Sequence, residues 1–237
     1  MRNLPLLKAN ISQAGYKPNE SIISNIHFSI NKGELAGMIG ANGAGKSTTI
    51  KAVLGELPFV EGEIEKKEGT SYSYIPERPI YYDELTLWEH FEFVCAVEQL
   101  REENLAYAKE LLKAFRLTDK IHEFPGTFSK GMQQKGMIAL AMFTKPDLLI
   151  IDEPFMGLDP SSTRLLLDML DQERARGTGI LMCTHILDTA QRICDSFLIV
   201  EKGTIKSSGT LDEVLHQCGS EDGSLYSCIS LEDGDDE

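Results

Sequence analysis

Residues 38–49 read MIGANGAGKSTT, with Gly40 and Gly45 five positions apart and Lys46 and Ser47 directly after the second glycine. The apolar run 35–39 precedes this stretch and a helical pattern over 47–54 follows it, so the order is strand, glycine turn, helix start. Glycines permit close approaches and dihedrals that a Cβ forbids, which lets successive backbone N–H groups converge on one anion. The helix N-terminus adds unpaired donors and a positive dipole end. Lys46 is placed to reach β and γ phosphates and Ser47 to hold Mg²⁺. A nucleoside triphosphate matches this arrangement, and Asn42, Gly43, Ala44 and Thr48 complete the phosphate-binding set.

The remaining pattern alternates short apolar runs with helical stretches. Residues 4–14 and 25–30 read as strands around a turn at 15–19, and 62–66 and 71–75 as two further short strands. Thr86 to Glu89 is a capping box opening a helix to about Leu100. Helices follow over 102–117, with Leu105, Ala108, Leu112 and Phe115 on one face, and from Ser129 to about Thr144. Three helices in succession between strands predict an inserted subdomain over 86–146. Residues 148–151 form a bare apolar run, the signature of a strand buried on both faces. A helix at 160–176, a strand at 178–183, a helix at 186–193 and a strand at 197–201 continue the alternation. A hairpin at Lys202–Gly203 and a helix opened by the Thr210 to Glu213 capping box end it.

Asp152 and Glu153 close the apolar run, at the carboxyl edge where open parallel sheets bind ligands. Neighbouring strand residues face opposite ways, so the two carboxylates are assigned different tasks. Asp152 is assigned to Mg²⁺, through water or Ser47, and Glu153 to polarising the attacking water as general base. Thr184-His185 ends the next strand, and the imidazole of His185 is assigned to hold γ-phosphate and water in line. With Lys46, these are the expected catalytic residues. Tyr16 has two readings: it caps its hairpin, or it offers a ring on which adenine stacks. Thr144-Lys145-Pro146-Asp147 superficially resembles a guanine-selecting motif but precedes the carboxylate strand, and reads as a turn feeding it.

Charge and apolar content narrow the function. A net charge of −14 argues against nucleic acid as partner, since a basic surface is needed to replace phosphate counterions. No apolar run approaches the roughly 18 residues that span a bilayer, so a membrane role calls for a partner chain. The five cysteines, Cys95, Cys183, Cys194, Cys218 and Cys228, are odd in number with no close-spaced pair, and read as reduced cytoplasmic thiols. Residues 219–237 carry seven acidic side chains and no basic one, the composition of a solvated flexible tail.

Gly40 to Ser47, Ile150-Ile151-Asp152-Glu153-Pro154, Gly157-Leu158-Asp159 and His185, in this order, resemble the nucleotide-binding subunit of ATP-binding cassette transporters. The likeness covers residues 1 to about 218. Phe128-Ser129-Lys130-Gly131-Met132-Gln133-Gln134-Lys135 with Ile75-Pro76-Glu77 is similar to the bacterial Ecs-type ATPases, single-domain subunits linked to export. The resemblance implies an α/β P-loop NTPase of RecA-like type: a mostly parallel sheet in a core of residues 1–85 and 147–218, an N-terminal antiparallel β portion, and the helical subdomain 86–146. It further implies ATP and Mg²⁺ as cofactors and a transmembrane permease subunit as partner. The protein would work as a homodimer, or with a related ATPase subunit, on the inner face of the cell membrane. Ser129 and Gly131 would meet the γ-phosphate of ATP held by the other subunit, Asp159 would cross that interface, and Glu77 would watch the γ-phosphate and metal.

Three positions depart from the family pattern. Lys130 and Met132 replace a glycine and a glutamine of the signature, and Glu77 replaces the usual glutamine. The substitutions are either neutral or mutually offsetting across the closed dimer, Glu77 bringing negative charge toward the nucleotide and Lys130 positive charge from the other subunit. Two other readings use the same residues: a soluble cassette ATPase without a transport role, and a nucleotide-gated clamp that signals without appreciable hydrolysis.

Overall fold

The computed structural model describes residues 4–18, 20–220 and 223–229. In chain order the strands are β1 (Leu7–Gly15), β2 (Ile23–Ile30), β3 (Leu35–Ile39), β4 (Phe59–Lys66), β5 (Tyr72–Ile75), β6 (Leu148–Asp152), β7 (Gly179–Thr184), β8 (Ser196–Glu201) and β9 (Thr204–Gly209). The helices are α1 (Lys46–Leu54), α2 (Leu87–Val97), α3 (Glu102–Ala114), α4 (Lys130–Met142), α5 (Pro160–Arg176), α6 (Leu187–Ile193) and α7 (Leu211–Cys218), with short 3-10 turns at Thr118–Lys120, Pro125–Thr127 and Leu225–Cys228. The fold is α/β, with mostly parallel pairing and a separate antiparallel sheet. Two units are distinct, residues 1–70 with 179–237, and residues 71–178. The helical insertion read at 86–146 lies wholly inside the second.

In the first unit, β1 pairs antiparallel with β2 and β4 in the order β2-β1-β4. Leu7, Ala9 and Ile11 alternate inward, the period of a half-buried sheet. β3 and β7 are buried at every residue and pair in parallel, with β8 parallel on the other side of β3 and β9 antiparallel beyond it. Their apolar runs leave no polar face for solvent, as expected of strands covered on both sides. In register, Ile39 stands opposite Thr184. The turn that begins at Gly40 and the turn at His185 therefore leave from the same edge.

In the second unit β5 and β6 pair in parallel, Ile75 opposite Ile151, so the Glu77 segment and Asp152 also leave one edge together. Thr86 and Glu89 form the expected capping box of α2, each accepting a backbone N–H from the other. Phe91 on α2 meets Phe143 edge-to-face at 5.0 Å, and Ala108, Leu111 and Leu112 of α3 and Met137 and Ile138 of α4 are buried. Ser71 takes the Asp147 carboxylate on its backbone N–H at 3.1 Å and its hydroxyl at 2.9 Å, and Lys145 turns through φ +53°. The 144–147 segment is thus a turn onto β6.

Two sequence readings change. Cys218 and Cys228 are paired as a disulfide, while Cys95, Cys183 and Cys194 are free. The pair lies ten residues apart on two elements that only the fold brings together. Residues 223–229, read as part of a solvated tail, instead pack: Leu225 is 0% and Cys228 1% exposed, in one cluster with Ile39, Leu187, Phe197 and Val214. The strongly acidic end, 230–237, lies outside the described residues.

Candidate nucleotide site

The first unit holds Tyr16, Gly40, Asn42, Gly43, Ala44, Gly45, Lys46, Ser47, Thr48 and His185; the second holds Glu77, Ser129, Gly131, Asp152, Glu153 and Asp159.

In the first unit the loop after β3 needs glycine for two separate reasons. A Cβ on Gly40 would sit 2.3 Å from the Val200 carbonyl oxygen, whereas Gly43 has open space around it but takes φ +78°. Gly45, at φ +109°, caps α1 without any side chain accepting from its first turn, and that turn contains no acidic residue. The N-terminal donors and the dipole of α1 therefore meet no competing side-chain acceptor or acidic residue from its own first turn. Lys46 is 6% exposed and donates to the carbonyls of Gly40 at 2.7 Å and Ala41 at 3.0 Å. Ser47 is exposed beside it. The hairpin turn of β8 and β9 braces the loop, the Gly203 N–H donating to the Ala44 carbonyl at 2.9 Å.

Tyr16 is half exposed, and Lys51 of α1 donates to its hydroxyl at 3.3 Å with the ammonium 5.4 Å from the ring centroid. The hairpin it follows is closed by others: Glu20 N–H donates to the Lys17 carbonyl, and the Lys17 and Glu20 side chains pair at 3.2 Å. The Tyr16 ring lies beside Lys51 of α1. His185 is exposed directly after β7, where Thr184 accepts the Ile186 N–H at 3.1 Å and turns the chain into α6.

In the second unit, Asp152 is 3% exposed and Glu153 8%. β6 ends at Asp152 and Glu153 takes φ +49°, so the direction of Glu153 is set by a left-handed residue and not by strand alternation. A non-glycine residue in this region is uncommon. Ser129 caps α4, accepting the Met132 N–H, and the Gly157 carbonyl sits against Gly131 so closely that a Cβ there would lie 2.6 Å from it. Asp159 caps α5, accepting from Ser162 at 2.9 Å, and its carboxylate also takes Lys135 at 2.6 Å and the Ser161 hydroxyl at 2.6 Å. Lys135 first, then these hydroxyl and amide donors, hold the Asp159 carboxyl far below the ordinary carboxylate range. Asp159, read as an interface residue, is thus already engaged within its own unit.

Glu77 and Lys130 line one cavity of about 480 Å³ with Arg78, Gln133, Gln134 and Met156. The sequence reading set these two charges against each other across a dimer; here they share a cavity within one unit. The 76–85 loop is pinned by His90, whose Nε2 accepts the Tyr82 N–H at 2.9 Å and whose Nδ1 lies 2.7 Å from the Thr86 carbonyl, which requires the neutral ring with its proton on Nδ1. Tyr81 donates to the Gln133 carbonyl at 2.7 Å, and burial pushes its phenol well above the ordinary range.

Among the described residues no group of three or more His, Cys, Asp or Glu is placed to hold a metal. Of the residues read as metal ligands, Asp152 in the second unit is a buried carboxylate and Glu77 an exposed one, and Ser47 in the first unit is an exposed hydroxyl. Each is a hard oxygen donor of the kind Mg²⁺ takes, one or two at a time, beside its waters and substrate phosphates.

The chain is similar to known proteins over most of its length. The ABC transporter family model matches residues 23–156. The uncharacterized ABC transporter ATP-binding protein YthP of Bacillus subtilis (strain 168) is 50% identical over 225 residues, 94% of this chain and 95% of that protein. The ABC-type transporter ATP-binding protein EcsA of the same organism is 40% identical over 233 residues, 94% of each chain. A solved ATP-binding subunit of an ABC transporter superposes with a TM-score of 0.87 at 41% identity, over 93% of this chain and 96% of that one.

Proposed function

This chain belongs to the ABC transporter family, and from that premise we propose that it hydrolyses ATP as a dimer and so drives a separate transmembrane partner, in the export direction. The α1 N-terminus and the 40–45 amides take the phosphates, and Lys46 leaves its two loop carbonyls for phosphate oxygens. Asp152 and Ser47 are the oxygens that hold Mg²⁺, which when bound neutralises phosphate charge. Glu153 accepts the proton of the attacking water as its oxygen bonds to the γ-phosphorus and the bridging oxygen leaves with ADP. The His185 imidazole donates to a γ-phosphate oxygen, and the Tyr16 ring stacks on adenine. Glu77 senses the γ-phosphate and metal. Ser129 and Gly131 at the α4 N-terminus serve the nucleotide of the second copy, with Asp159 setting the helix that borders it.

The observation that carries hydrolysis, as opposed to binding alone, is Glu153: a buried carboxylate held in a left-handed turn directly after the buried Asp152. For the partner, the support is an apolar surface on the second unit, where Ile80 is 73%, Tyr82 57%, Phe93 44% and Val97 60% exposed. Such a surface suits a short helix from a membrane protein. Among the described residues no helix of this chain is long and apolar enough to cross a membrane. The direction of transport rests on the resemblance to the Ecs-type subunits.

Phosphate release with Mg²⁺ and ATP tests the reading. Glu153→Gln is expected to keep ATP affinity while turnover falls about 10²-fold or more, trapping a dimer. Wild-type turnover in that variant would remove the base assignment. Replacing Ile80 and Phe93 with serine is expected to leave basal turnover unchanged and abolish co-purification with the membrane partner.

A further inference from the structure

Cys218 ends α7 and Cys228 ends the last 3-10 turn, with Cα atoms 5.2 Å apart. Disulfides in reducing compartments are mostly transient and redox-sensing. Cys228 is buried and Cys218 half-buried, so an incoming reagent meets the Cys218 sulfur first. The segment they clasp is tied into the first unit at two places. Leu225 and Cys228 share an apolar cluster with Ile39, the residue before Gly40, and with Leu187 and Ala190 of α6, which starts two residues after His185. Gln191 of α6 holds the segment from both ends of its amide, donating to the Gly223 carbonyl at 3.0 Å and accepting the Leu225 N–H at 3.4 Å. Cys228 and Ile229 line a cavity of about 280 Å³ together with residues 41–44 of the glycine loop.

We propose that Cys218 and Cys228 are a reversible dithiol–disulfide site that fastens the C-terminal segment against the flank of the phosphate loop and thereby tightens nucleotide binding. The oxidant is a low-molecular-weight disulfide. The Cys218 thiolate attacks one of its sulfurs and expels a thiolate, and Cys228 then attacks the Cys218 sulfur of the mixed disulfide and expels the second. Two electrons pass to the reagent, and the two cysteine protons end on its two released thiols. Closing the short loop removes open conformations of the segment. A larger share of molecules then holds the loop flank in its binding geometry, and apparent affinity rises by the same factor.

The affinity part rests on residues 40–47 being the nucleotide site, so the test reads the clasp separately. The full chain is treated with oxidised glutathione or with dithiothreitol. The linked Cys218–Cys228 peptide is sought by mass spectrometry, amide hydrogen exchange is followed over residues 40–45 and 187–193, and a fluorescent ATP analogue is titrated. Reduction is expected to speed exchange in both segments and to raise Kd about 3- to 10-fold. Cys218→Ser, which leaves the buried Cys228 in place, is expected to match the reduced protein and to ignore dithiothreitol. Absence of the linked peptide, unchanged exchange, an equal reductant response in Cys218→Ser, or an unmoved Kd would each overturn the proposal. Redox-sensitive exchange in a chain that binds no nucleotide in either state would uphold the clasp and refute the nucleotide site instead.

Discussion

Lys46 donates to the carbonyl oxygen of Gly40, six residues earlier, at 2.7 Å, and this bond closes the loop over its own ammonium. The buried cation is satisfied by loop carbonyls, and under the proposed function a triphosphate would exchange those for charged oxygens, a charge-assisted bond of about 1.5–3 kcal/mol. Lys46→Ala is therefore expected to weaken ATP binding about 10- to 100-fold by titration. An unchanged Kd would show that the helix amides alone hold the phosphates.

Two of the three loop glycines before it, Gly40 and Gly43, separate by cause. Gly43→Ala meets open space and pays only for its positive φ, roughly 1–2 kcal/mol. Gly40→Ala drives a Cβ into the Val200 carbonyl, so the β3 to β8 contact must shift, with an expected loss above about 3 kcal/mol. Thermal or urea unfolding of the two variants checks the order.

Tyr16 predicts a split between ring and hydroxyl. Tyr16→Phe keeps the face and loses only the bond from Lys51, whereas Tyr16→Ala removes the stacking surface and is expected to weaken nucleotide affinity about 10-fold. Equal affinities in all three proteins would leave the ring a surface residue.

Asp159 makes a pH prediction. Its folded pKa lies below the ordinary carboxylate value of 3.8, so the contribution to stability is fully present above about pH 4 and is lost as pH falls below it. Asp159→Asn, which cannot ionise, is expected to lower Tm at pH 7 and to flatten the fall in Tm between pH 4 and 2.

Glu77 and Lys130 predict coupling within one chain. Because both line one cavity, Glu77→Gln and Lys130→Gln are expected to be non-additive in ATPase rate by about 0.5–1.5 kcal/mol. Additive effects would mean that these two departures from the family pattern are independent.

Helix ends show how far the sequence alone reaches. α1 and α5 stop where the sequence indicates, because Gly55 and Gly177 take the left-handed position that ends a helix. α2, α3 and α4 stop two or three residues earlier than their patterns suggest. There Gln99, Arg116 and Lys145 take φ +52°, +59° and +53°, and none of these residue types announces such a turn. The capping boxes at Thr86 and Thr210 were legible because both partners lie within one turn.

The phosphate loop, the carboxylates after β6 and the alternation of strand and helix follow from residues close together in the chain, since their geometry needs only local dihedrals and adjacent donors. Tertiary structure decided the rest: the left-handed turn that aims Glu153, the Asp159 pairing with Lys135, the cavity shared by Glu77 and Lys130, and the joining of Cys218 to Cys228. Each depends on which distant segments are packed together. That choice is made by the burial of whole faces and strands, and no single stretch of sequence carries it.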